Sequence, residues 1–151
     1  MTPDAQADAT LALELHGTLL SELGARAIYG DLARRCGDAE LARLLELLRE
    51  EQDQQVRELR EVMRSLGLRP PESSLRRRCL AWLLATARPI VGQRLVLRLC
   101  AQAADRAARA HATFQLYLRE LGHEAGAALC GRMSERRRRH AFSLEAWVQN
   151  A

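Results

Sequence analysis

Leu11, Leu15, Thr18, Ala25, Tyr29 and Leu32 recur every three or four residues, with Glu22 in the middle of their stripe, and this period predicts a helix from about Thr10 to Arg35. Gly37 ends that helix and Asp38 caps the next. The second helix places Leu41, Leu44, Leu48, Glu51, Gln55, Val62 and Leu66 on one side and stops at Gly67, before Pro70 and Pro71. Ser73 or Ser74 then caps a short helix from about Leu75 to Ala87. Pro89 opens a third long helix that carries Leu97, Cys100, Ala104, Ala107, His111 and Phe114 inward and reaches Leu121. Gly122 closes it. A fourth helix, about Glu124 to Val148, gathers Cys130, Met133, Arg137, His140, Leu144 and Trp147 on one face.

Two long helical pairs joined by a short crossover helix between helices 2 and 3 make an all-α four-helix bundle, expected as one domain over residues 1–151. The two pairs also read as a weak internal duplication, each a long helix, a glycine turn and another long helix. Composition agrees with this layout: aromatics are 4% of the 151 residues, so the core must be Leu, Ala and Val, which suits close-packed helices.

Charge divides the chain. Residues 1–75 hold nine Arg against fourteen acids, a balance of −5, and residues 76–151 hold fourteen Arg against five acids, a balance of +9. An acidic first pair and a basic second pair attract each other. All 23 basic residues are Arg, a composition that a GC-rich coding bias explains as well as any function. Cys36, Cys79, Cys100 and Cys130 contain no Cys-x-x-Cys pair and read as small buried apolar residues, not as disulfides or a zinc site. Neither an export signal nor a membrane-spanning run is found, and a cytoplasmic protein is expected.

The polar residues on the inward faces carry the candidate chemistry. Helical bundles that hold two metal ions take a Glu from each of two helices and Glu-x-x-His from each of the other two, since two divalent cations need several carboxylates to neutralise them in a low-dielectric interior. Glu22 stands mid-helix with Tyr29 two turns on. Glu51 takes the equivalent place in the second helix, but Gln54 stands where an imidazole is needed. On the third helix the positions matching Glu22 and Tyr29 are Ala104 and His111, a methyl and an imidazole. A shift of one residue, to Asp105, would return a carboxylate. On the fourth helix the register reads Arg137-x-x-His140, a cation where the carboxylate belongs. Arg137, with five donors and a fixed charge, is expected to bridge Glu22 and Glu51 in place of metal. The plainer readings are a Glu22 paired with Arg26, a Tyr29 in ordinary core and a hydrogen-bonded core His140.

The run Ser21 to Tyr29 resembles the first-helix motif of ferritin-like proteins, and is most similar to that of the demethoxyubiquinone hydroxylase family. Glu50-Glu51-Gln52-Asp53-Gln54 resembles the second-helix motif without its His, and Arg137 to Ala141 the fourth-helix motif without its Glu. The layout, which spans roughly Leu11 to Trp147 and includes a Pro-containing apolar connection over Arg69 to Gly92, is also similar to rubrerythrin-type bundles. The resemblance implies a ferritin-like fold and two irons that activate oxygen or enter storage. Only Glu22, Glu51 and His140 match its ligand positions. The expectation is therefore an eroded di-metal site in a structural or interaction protein without a cofactor, acting as a homo-oligomer or with a protein partner. The alternative is an iron or manganese protein with an altered ligand set, an oxidoreductase or an iron handler. Arg136 to Arg139 lack interleaved aromatics, so nucleic acid is not expected as a partner. Arg76 to Arg78 followed by an apolar stretch with Trp82 suit a peripheral membrane contact over residues 76–92, or a crossover helix packed on the bundle.

Overall fold

The computed structural model describes residues 3–72 and 92–150. Among them are four long helices and no strand: α1 Pro3–Arg35, α2 Ala39–Ser65, α3 Gln93–Glu120 and α4 Glu124–Asn150. The chain divides into two compact units, Met1–Trp82 and Leu83–Ala151; α1 packs on α2 in the first, α3 on α4 in the second. The short helix expected over Leu75 to Ala87, Pro89, and all but the last residue of the membrane contact expected through residues 76–92 lie outside the described residues. None of the described helices is long and apolar enough to cross a membrane.

Local chemistry explains where each helix begins and ends. α1 starts seven residues earlier than the expected Thr10, at Pro3, whose fixed φ and missing N–H suit a first helical position. Its last turn holds Arg34 and Arg35, cations favoured at the negative end of the helix dipole. Asp38 caps α2 by accepting from the backbone N–H groups of Glu40 at 2.9 Å and Leu41 at 3.0 Å. α2 and α3 end alike. Gly67 (φ 73°) and Gly122 (φ 76°) take the left-handed conformation. Leu68 N then donates to Met63 O at 2.9 Å and His123 N to Leu118 O at 2.8 Å, closing the same glycine-based terminus twice. α3 does not start at Pro89. Gly92 stands before it with φ 86° and ψ 144°, outside any helical geometry, so the helix begins at Gln93.

In the first hairpin the core is aliphatic: Leu11, Leu15, Leu19, Leu23 and Leu32 from α1 with Leu41, Leu45, Leu48, Val56, Leu59 and Met63 from α2. The stripe on α2 keeps Leu41, Leu48 and Gln55 of the expected face but takes Leu45, Gln52, Leu59 and Met63 in place of Leu44, Glu51, Val62 and Leu66. The Leu44-Leu45 pair lets either stripe begin, and the choice falls on the one without a charge. A stripe through Glu51 would have buried a carboxylate and left Leu59 and Met63 outside.

The second hairpin keeps its expected inward face on α4 through Cys130, Met133, Arg137, His140 and Leu144, finishing at Val148 with Trp147 half-buried. On α3 Ala108 replaces Ala107. Ser134 Oγ donates to Ala108 O at 2.7 Å, joining the two helices across their seam. Gly126 lets Leu118 come close: a Cβ there would lie 3.3 Å from Leu118 Cδ1.

Candidate functional site

The polar centre of the first hairpin is built around Glu22. Its residue is fully buried, and it is the only buried acid among the described residues. Gln52 and Gln55, one turn apart on α2 and equally buried, both reach it: Gln52 Nε2 donates to Glu22 Oε2 at 2.5 Å, and Gln55 Nε2 to the same oxygen at 2.6 Å. Two amide donors on one carboxylate oxygen are charge-assisted hydrogen bonds, the stronger kind, and they offset part of the cost of burying the charge. They also fix the amide of Gln52, because turning it over would set its oxygen against the carboxylate. That oxygen, Oε1, is buried with no hydrogen-bond partner among the described residues. Leaving it so costs about 1–3 kcal/mol.

One turn further along α1, at the rim, Arg26 Nη1 meets Asp53 Oδ1 at 2.8 Å, and Arg57 Nη1 meets Asp53 Oδ2 at 2.7 Å. The hydrogen bond from Arg26 holds the Asp53 carboxyl below the usual carboxylate range, against the opposing effect of burial, and the charges of Arg57, Arg26 and Arg49 add to it. Arg26 thus belongs to Asp53, a pairing that its sequence neighbourhood to Glu22 concealed.

Glu51 and Gln54, expected inward, are placed otherwise. Gln54 is exposed and donates to Glu58 Oε1 at 3.1 Å along the same helix. Glu51 is half-buried, and with Gln54, Leu47 and Arg49 it lines an open hollow of about 350 Å³ on α2. The inward positions belong to Gln55, as expected, and to Gln52 in place of Glu51. The signal that finds them is the uncharged run of i, i+3 and i+4 positions from Leu41 to Met63. Tyr29 stands on the buried face of α1.

In the second hairpin Ala104 is fully buried and Asp105, the one-residue alternative, is half-exposed and ion-paired with Arg109 on the same helix. The inward residue at that level of α3 is a methyl group. His111, Arg137 and His140 are all buried, Arg137 with 3% of its surface exposed. Burial pushes the Cys100 thiol up to about 11, with the nearby Arg137 charge pulling it down, and pushes the Cys130 thiol up to about 12. Both sulfurs are protonated at neutral pH, a form that neither binds metal well nor attacks as a nucleophile. Cys36, Cys100 and Cys130 are free thiols, and Cys79 lies outside the described residues.

Hydrogen-bearing amide nitrogens face Glu22 where a metal would need lone pairs, and the one-residue offset on α2 puts a second amide, not a second carboxylate, beside it. Among the described residues no group of three or more His, Cys, Asp or Glu is placed to hold a metal ion.

No protein-family model matches the chain, and neither a curated protein nor a solved structure is significantly similar to it.

Proposed function

We propose that this chain is a helical structural or interaction module of ferritin-like layout whose di-metal site has been lost, and that it is not a catalyst. The observation that supports this most is the pair of amides on Glu22. A carboxylate that once served a metal would need a replacement partner when the metal was lost, and two N–H donors on a single oxygen supply one. Protonated Cys100 and Cys130 and the inward methyl of Ala104 agree with a core that serves packing. In this reading the polar interior specifies a register instead of a reaction, as buried polar groups do in some helical assemblies. Its partner is a second copy of the chain or another protein.

Thermal unfolding in the presence of a strong iron chelator tests the proposal. The melting temperature stays where it is without chelator, and added iron or manganese leaves it unchanged, because no metal stabilises the folded chain by mass action. A rise on adding iron, reversed by the chelator, would instead support the iron-handling alternative.

A further inference from the structure

We propose that His16 is a proton-operated clasp between α1 and the connection that leaves α2. Its two ring nitrogens face two backbone carbonyl oxygens: Nδ1 lies 2.8 Å from Ala12 O, one turn back on α1, and Nε2 lies 3.1 Å from Arg69 O. A carbonyl oxygen only accepts, so each of these contacts is a hydrogen bond only when its nitrogen carries a proton. A neutral imidazole has one N–H and can satisfy one of the two, leaving a lone pair against the other oxygen. The imidazolium satisfies both.

The clasp holds the middle of a short segment. Leu68 N is tied to Met63 O by the glycine terminus of α2, and at the far end Arg60 Nη2 donates to Glu72 O at 3.3 Å. Arg69 lies between these two points and is followed by Pro70 and Pro71, which have no N–H with which to anchor themselves. His16 therefore supplies a tie from α1 to the middle of this stretch, where the two prolines offer no N–H. The charged groups on the elements that meet here are Glu14 on α1, Arg60 and Arg64 on α2, and Arg69 and Glu72 on the connection. All are exposed or half-exposed, so water and salt screen them and the two carbonyls at contact distance decide. A ring that carries both protons therefore closes the clasp, and a ring with one N–H keeps the shorter bond to Ala12 O and releases its Arg69 arm.

Nuclear magnetic resonance on the full chain, labelled with ¹³C and ¹⁵N, tests this. From pH 8 to pH 5 the Arg69 carbonyl ¹³C resonance shifts along the same titration as the His16 ring nitrogens, and amide exchange of Leu68, Arg69 and Glu72, corrected for intrinsic rates, slows. In His16→Gln, which offers an amide donor at every pH, both pH dependences are lost. An Arg69 carbonyl that does not move with the ring in the wild-type protein, or one that moves equally in His16→Gln, would overturn the proposal.

Discussion

Gln52 donates its amide hydrogen to Oε2 of Glu22 across 2.5 Å, so the middle of the first hairpin is a buried carboxyl group held by a neutral side chain from the facing helix. Both residues are fully buried. Glu22→Ala is accordingly expected to destabilise the protein by about 2–4 kcal/mol, since it removes the acceptor of two buried amide hydrogen bonds. A double-mutant cycle with Gln52→Ala, read by urea unfolding, should return a coupling of about 1–3 kcal/mol. Additive losses would separate the two residues energetically.

Asp53 gives a pH dependence whose sign follows from its partner. Its folded-state carboxyl lies below the usual range because of Arg26, so the stability it contributes is present above about pH 4 and is lost as pH falls through the lowered folded value. Asp53→Asn should cost under about 1 kcal/mol at neutral pH, because the Arg26 and Asp53 side chains are 34% and 29% exposed and water screens the pair. The difference from wild type should shrink in acid unfolding curves as pH falls below about 4 and disappear once pH is below the lowered folded value.

The helix ends are separately testable. Asp38→Ala removes the acceptor for two backbone N–H groups and should cost about 1 kcal/mol. Gly67→Ala and Gly122→Ala should each cost about 1–2 kcal/mol, because both positions have positive φ. Gly17, mid-helix with open space around it, should accept Ala and gain up to about 1 kcal/mol in chemical denaturation.

These ends were the most legible part of the sequence. A cap is a local contract: Asp38 and the two glycines are chosen by the few residues beside them, so Asp38, Gly67 and Gly122 could be read without knowing what packs where. The face of α2 could not be read that way. Its Leu44-Leu45 pair satisfies two stripes that differ by one residue at several positions, and a search for carboxylates favours Glu51. Burial favours the neutral stripe through Gln52 and Gln55. On α4 the period admits a single apolar face from Cys130 to Leu144, which carries Arg137 and His140 inward with it. The start of α3 was missed because Pro89 is a valid helix opener, whereas the left-handed φ of Gly92 cannot be read from one glycine in isolation.

Cysteine reactivity separates buried thiols from an exposed one. Cys100 and Cys130, pushed up to about 11 and about 12 by burial, should resist iodoacetamide at pH 8 in the native protein. Cys36, half-buried with its Sγ donating to Asp38 O at 3.4 Å, should be alkylated ahead of both. Peptide-resolved mass spectrometry over a time course reads the order, and early labelling of Cys100 would contradict the buried core of the second hairpin.

The most direct test of the central claim, that amides and packing have taken over from metal, is elemental analysis of tag-free protein expressed with added iron and manganese. The expected result is a stable folded chain with no stoichiometric metal and no ligand-to-metal absorption in its ultraviolet and visible spectrum. Two metal ions per chain would contradict it, and would mean that Glu22 exchanges its hydrogen bonds from Gln52 and Gln55 for coordination.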